Sequence, residues 1–144
     1  MFGLFKGKWA FDDQKKTQFI TIISDMIDLQ RIPAGNHGIE DEDGHINRKA
    51  IGYIYGFIDA ALQVAGQDMS DNSVGIPVTF QVLERLYPSR GEKYLRFLID
   101  NIRTDDQVGI GMAVGGQEYL DKSNGKMEGI PMGFGRFLLE GDKR

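Results

Sequence analysis

The chain has no cysteine, only four prolines and two histidines, and a single tryptophan among its 144 residues. Without thiols there is no cysteine catalysis, no cysteine-ligated zinc, no iron–sulfur cluster and no disulfide scaffold. No apolar run reaches the roughly 20 residues that span a bilayer. The longest, from Ala50 to Ala65, is interrupted by Asp59 and Gln63, so a membrane is not an expected partner. Met1 to Phe11 offers neither a signal-peptide apolar run nor a small-residue cleavage site, and the expected location is cytoplasmic. Basic residues are in deficit, 17 against 21 acidic, for a net charge of −4. That balance argues against nucleic acid, whose binding needs a basic stripe to displace condensed counterions.

Nucleotide and hydrolase signatures are missing as well. There is no Gly-Lys-Ser/Thr phosphate loop and no serine in a Gly-x-Ser-x-Gly setting. The glycines at 109, 111, 115 and 116 lack the third glycine of a dinucleotide fingerprint, because Val114 stands there, and they read instead as sites of close helix packing.

What is present is the composition of one soluble globular domain, 41% hydrophobic and 26% charged, with helical periodicity nearly throughout. Phe19, Ile22, Ile23, Met26 and Ile27 recur at spacings of three and four, predicting a first helix that starts at Asp12 or Asp13 and stops at Pro33 and Gly35. From about Ile46 to Ala65 the pattern is apolar almost all round, which places this helix at the centre of a bundle. Gly52 and Gly56 would admit a close neighbour there, and Gly66 occupies the expected left-handed cap. A third helix is predicted to open with Pro77 in its first turn, although Val78, Phe80 and Val82 also fit a short strand.

Ser89 to Glu92 and Thr104 to Gln107 have the form of capping boxes, predicting two further helices that meet at a corner near Arg103. The glycines at 133 and 135 make a last helix fragile on propensity alone. The expected architecture is therefore all-α: a single domain over residues 1–144, of five to six helices around a central apolar one. Gly75-Ile76-Pro77 is echoed by Gly129-Ile130-Pro131, which suggests a worn duplication of residues 50–87 in residues 104–140.

Three constellations carry chemical potential. The first is the stretch from His37 to Asn47, which contains both histidines and four consecutive acids. With Gly44 at the sixth position of an EF-hand-like loop, Asp41, Asp43 and Asn47 fall on ligand positions three, five and nine, while Ile39 and Ala50 occupy the first and twelfth where ligands belong. His37 and His45 could instead join Asp41 or Asp43 around a transition metal. The divalent cations to consider are Ca, Mg, Mn and Zn; the plain alternative is a solvated loop in which Asp43 caps the next helix. The second constellation is Asp59, an acid inside the most apolar helix and a candidate acid or base for an enzyme, unless it pairs with a cation such as Arg48 or Lys49. The third is the N-terminal mixture of Phe2, Leu4, Phe5, Trp9 and Phe11 with Lys6 and Lys8, which closes the end of a helical core or else docks on a protein partner or a membrane interface.

An Asp-Gly loop that opens one helix, followed later by a helix leading into Asp121-Lys122-Ser123-Asn124-Gly125, resembles the small bacterial tellurite-resistance helical domains. The likeness covers two short segments, and the second loop lacks their full acidic set. It implies metal binding by the first loop. The sequence taken whole favours a non-enzymatic interaction or regulatory module that uses a protein partner or self-association, ahead of a divalent-metal domain at His37, Asp41, Asp43, His45 and Asn47 and of an enzyme built on Asp59.

Overall fold

The computed structural model describes residues 13–67 and 72–143, and among them the chain is all helical. Helix α1 spans Asp13–Asp28 and tightens into a 3-10 segment over Leu29–Ala34 that ends at Gly35, as Pro33 requires. Then follow α2 (Arg48–Val64), α3 (Asn72–Leu86), α4 (Gly91–Asn101), α5 (Asp106–Ser123) and α6 (Gly133–Glu140). No helix of the described residues is long and apolar enough to cross a membrane.

Helix α2 is the hub, buried around most of its circumference through Ile51, Ile54, Phe57, Ile58 and Leu62. Around it lie Ile20, Ile23 and Ile27 of α1, Val78 and Leu83 of α3, Leu98 of α4, Val108 of α5, and Phe134 and Leu138 of α6. Its widest contact is with α5. A methyl group at Gly52 would fall 2.2 Å from the Val108 carbonyl oxygen, and one at Gly56 would fall 2.1 Å from that of Met112. Conversely, Gly111 faces the Lys49 carbonyl at 2.0 Å and Gly115 that of Tyr53 at 2.2 Å. Backbone therefore lies directly on backbone, in the arrangement where glycine Cα–H groups meet facing carbonyls. One turn onward in α2 is matched by one turn onward in α5, so the two helices run in the same direction. Adding 59 to the number of each α2 residue in the contact gives its α5 equivalent, Gly52 to Gly111 and Gly56 to Gly115, and the pair is related by a local pseudo-twofold axis.

Parallel packing brings two positive helix ends together. Asn47 caps α2 by accepting from Ala50 N–H, Asp105 caps α5 by accepting from the N–H groups of Gln107 and Val108, and Arg48 bonds the carboxylates of both Asp105 and Asp142. The two carboxylates offset the repulsion between aligned dipoles.

Several local expectations are corrected. Pro77 lies inside α3, which begins five residues earlier at Asn72, and no strand forms around Val78 because that residue and Val82 face the core at helical spacing. Ser89 is no cap; it adopts φ +71°, and Glu84 accepts the Ser89 and Gly91 N–H groups in its place. At the corner the cap is Asp105, one residue beyond Thr104. The two Gly-Ile-Pro triplets sit differently, the first within α3 and the second in the stretch before α6.

Helix α6 is not weakened by its glycines. A side chain at Gly133 would collide with the Glu118 carboxylate and the Tyr53 ring, and one at Gly135 with the Gln30 carbonyl at 2.4 Å. These positions let the short helix sit flush on the bundle. Gln30 donates to the Tyr53 hydroxyl and accepts from Phe134 N–H, while Tyr53 donates to Glu118, which also accepts from Gly133 N–H.

Substitutions at two kinds of glycine should therefore move stability in opposite directions. Gly56→Ala or Gly115→Ala forces α2 and α5 apart and should cost about 3 kcal/mol or more in chemical denaturation. Gly109→Ala, in the same α5 but with open space around it, should gain about 0.5–1 kcal/mol from helix propensity alone. Equal effects at the two kinds of position would contradict the close contact.

Candidate functional site

The acidic loop folds as a small closed hairpin. Glu40 and Ile46 form an isolated antiparallel bridge, Asn47 N–H donates to the Ile39 carbonyl at 2.7 Å, and both isoleucines are buried in the core. Between these anchors Gly44 turns the chain at φ +80°, and Asp41 Oδ1 accepts the N–H groups of Asp43 and His45, each at 2.9 Å. That is the Asx-type bonding expected of an aspartate at a turn. The His45 ring comes within 3.4 Å of the other Asp41 oxygen. One ligand atom each from Asp41, Asp43 and His45 can thus be enclosed within 4.8 Å.

The remaining predicted ligands stand apart from that group. His37 is turned back toward the Ala34 carbonyl at 2.9 Å. Asn47 is buried, its oxygen capping α2 and its nitrogen donating to the Phe137 carbonyl at 2.8 Å. The helix cap is therefore Asn47 and not Asp43. The neighbouring Glu40 leaves the acidic run to accept from the Tyr94 hydroxyl at 2.6 Å and to pair with Lys93 and Arg90.

Asp59 is half-buried and accepts from Gln63, one turn along α2, rather than pairing with Arg48 or Lys49. Its setting is a groove of about 680 Å³ between α2, α3, α4 and α5. The walls are apolar: Ile76 from α3, Leu95, Leu98 and Ile99 from α4, Ile102 just beyond it, and Met112 from α5. Ile99 is 55% exposed, and Ile76 also reaches solvent. Four polar side chains share the groove: Tyr55, Asp59, Arg103 and Thr79, whose hydroxyl donates to the Gly75 carbonyl. Neither the Tyr55 hydroxyl nor the Arg103 guanidinium has a hydrogen-bond or ion-pair partner among the described residues. Burial, then the Asp59 charge, raises the Tyr55 pKa against an opposing pull from Arg103. The groove thus offers a protonated hydroxyl, a carboxylate and a guanidinium around an apolar floor.

In the sequence Ile99 and Ile102 mark only the periodicity of a helix, and nothing distinguishes Tyr55 or the Arg103 side chain as groove residues. The one available signal was the breadth of the apolar arc on α2 beside a second apolar helix. Phe2, Phe5 and Trp9 lie outside the described residues. A second, polar recess of about 650 Å³ lies at the paired helix starts, lined by Arg48, which is already held by Asp105 and Asp142, and by Lys143.

Comparison with protein-family models, with curated proteins and with solved structures found no match.

The carboxylates define an acid limit. The Tyr94 hydroxyl, helped by Lys93 and Arg90, holds the Glu40 pKa below its ordinary value against an opposing effect of burial. Burial pulls Asp105 upward, but the Val108 N–H, Arg48 and the Gln107 N–H outweigh it and leave the pKa lowered. Lowered carboxylates contribute stability that is complete above their unfolded values and disappears as pH falls through the folded ones. Urea midpoints should therefore hold down to about pH 5 and drop steeply toward pH 3. Glu40→Gln should start lower at neutral pH and fall less; an identical pH profile would show that Glu40 makes no such contribution.

Proposed function

We propose that this protein is a non-enzymatic interaction module that takes an amphipathic peptide segment into the groove between α2, α3, α4 and α5. The observation that carries the reading is the open apolar wall of Ile76, Leu95 and Ile99. Isolated exposed isoleucines need no explanation, but here they line a concave surface that also holds Tyr55 and the exposed Arg103, neither of them paired among the described residues. Grooves of this kind suit a helix laid in by its apolar face, with side chains at i, i+3 and i+7 as anchors. The polar groups specify the rest of the occupant. Arg103 offers a cation for the face of an aromatic ring, and Asp59 with Tyr55 offers acceptors for a lysine ammonium.

A fluorescein-labelled Phe/Lys model helix tests this directly. It should bind the protein saturably. Ile99→Glu should weaken binding at least about tenfold, or roughly 1.4 kcal/mol, without moving the melting temperature. No binding, or binding indifferent to Ile99, would overturn the reading.

A second reading rests on the enclosure of Asp41, Asp43 and His45 atoms within 4.8 Å. Two carboxylates and one imidazole suit a weakly held divalent cation completed by water. Melting after chelator treatment, with Ca, Mg, Mn or Zn at about 100 times the dissociation constant, should then gain roughly 2.7 kcal/mol. Asp41→Asn/Asp43→Asn should abolish the gain. An equal shift in the variant, or none in either, would leave the loop as a turn closed by Asp41.

A further inference from the structure

The equivalence of α2 and α5 extends beyond their glycine contact. The helices end in step, at Val64 and Ser123, and each is followed by a glycine of positive φ, Gly66 at +81° and Gly125 at +73°. Adding 59 to the residue number carries Tyr53 to Met112 and Asp59 to Glu118. These two pairs mark opposite faces of the helix pair, because the pseudo-twofold axis runs between α2 and α5 along their length. Tyr53 and Glu118 lie on the face that α6 covers, whereas Met112 and Asp59 line the groove. The groove is thus the counterpart of the seat of α6. Helix α3 follows α2 as α6 follows α5, yet it leaves this place open and contributes a wall to it through Gly75, Ile76 and Thr79.

The filled seat shows how such a face is covered. Helix α6 begins at Glu118, which accepts Gly133 N–H at 3.0 Å and pairs with Arg136 at 3.3 Å. Phe134 and Phe137 pack on the Tyr53 ring, with centroids 5.9 and 6.3 Å away. From there the chain runs back toward the helix starts, where the Phe137 carbonyl accepts from Asn47 and Asp142 accepts from Arg48. The groove offers matching groups. Asp59 takes the place of Glu118, about three turns along α2, and among the described residues it is engaged only by Gln63 of its own helix. Met112 takes the place of Tyr53, and a thioether is a favourable contact for an aromatic ring. Near the helix starts, two residues before Asp105, stands the Arg103 guanidinium, without a partner among the described residues. A carboxylate at one end and a guanidinium at the other complement the dipole of a helix that enters by its N-terminus at Asp59. We infer that the groove takes a short helix of the α6 pattern from a partner protein, antiparallel to α2, with its first N–H groups at Asp59, aromatic side chains on Met112 and Ile99, and its C-terminal end at Arg103. This inference rests on the groove being a docking surface and adds the direction and pattern of its occupant. The α6 of a second copy is not that occupant, since Phe134 and Leu138 are already buried in the core of their own chain.

The probe is a peptide with the sequence of residues 129–140, labelled with fluorescein at its C-terminus; the control carries the same residues in reverse order. Fluorescence anisotropy with the intact protein should show saturable binding of the probe, at least about fivefold tighter than that of the control. Asp59→Asn, which leaves the apolar walls in place, should weaken the probe about tenfold, as expected for one lost hydrogen bond to a charged group. Arg103→Gln should weaken it about threefold, and Ile99→Glu should abolish saturation, all with unchanged melting temperature. Probe binding indifferent to Asp59 and Ile99 would be exchange with α6 at its own seat and overturns the inference. A dimer seen in sedimentation and dissolved by Ile99→Glu would assign the groove to a second copy and overturns it as well. If probe and control bind alike while the Phe/Lys helix still depends on Ile99, the direction is wrong and the interaction reading stands; failure of all three peptides would remove the groove as a docking surface.

Discussion

Everything in this molecule is arranged around one backbone-to-backbone contact. Helices α2 and α5 approach so closely that four glycines, at 52, 56, 111 and 115, each face a carbonyl of the other helix at a distance no side chain could share. The same closeness accounts for the shape of the rest. Parallel helices cannot be joined by a short turn, so the chain between them must travel back along the bundle, and it does so as α3 and α4. Parallel starts concentrate positive dipole ends, and Asp105 and Asp142 are recruited with Arg48 to offset them. The groove forms beside this pair, where α3 and α4 reach across to Tyr55 and Asp59 of α2 and Met112 of α5 without closing over them.

A division of labour follows between the two ends of α2. At one end of α2, Asn47 and Arg48 fasten the C-terminal segment by bonds to Phe137 and Asp142. Toward the other end, Tyr55 and Asp59 face the groove. Helix α6 is held by polar bonds as much as by its apolar face, through Gln30, Tyr53 and Glu118. Burial and the Glu118 contact raise the Tyr53 pKa strongly, so this hydroxyl remains a donor across the range in which the protein is folded. A buried network with its members satisfied fixes one arrangement of α6.

Much of the architecture was legible in the sequence because it rests on periodicity. The all-round apolarity of α2 predicted a central helix, and Gly52, Gly56, Gly111 and Gly115 were readable as close-packing positions, but the same reading took in Gly109, which has open space around it, and which helix faces which was not legible. What failed was chemistry decided by partners outside the local motif, whether a few residues away or far along the chain. Ser89 carries the right pattern for a cap, but Glu84 reaches its N–H first. Gly133 and Gly135 count against a helix by propensity, and only the positions of Gln30, Tyr53 and Glu118 reveal why nothing larger fits. In the acidic loop the local pattern placed Asp41, Asp43 and His45 together, whereas Asn47 was claimed by Ala50 and Phe137, a use that spacing does not disclose. The groove was invisible for the same reason: Ile99 belongs to a helical stripe like any other until the neighbouring helices are seen to stop short of it.

The bonds from Arg48 to Asp142 and Lys143 also bear on how the chain comes to be folded. The first turn of the central helix is completed by residues made some ninety-four positions later, and the partner that α2 needs along its glycine face is α5, not the helix that follows it. A nascent chain halted anywhere before α5 would expose the most apolar helix with its closest-fitting side bare, the condition under which partly made proteins aggregate. The hub of the bundle is thus among the earlier helices to leave the ribosome and among the last to be covered. Protection of that face during synthesis falls to chaperones or to the speed of translation across residues 65–123.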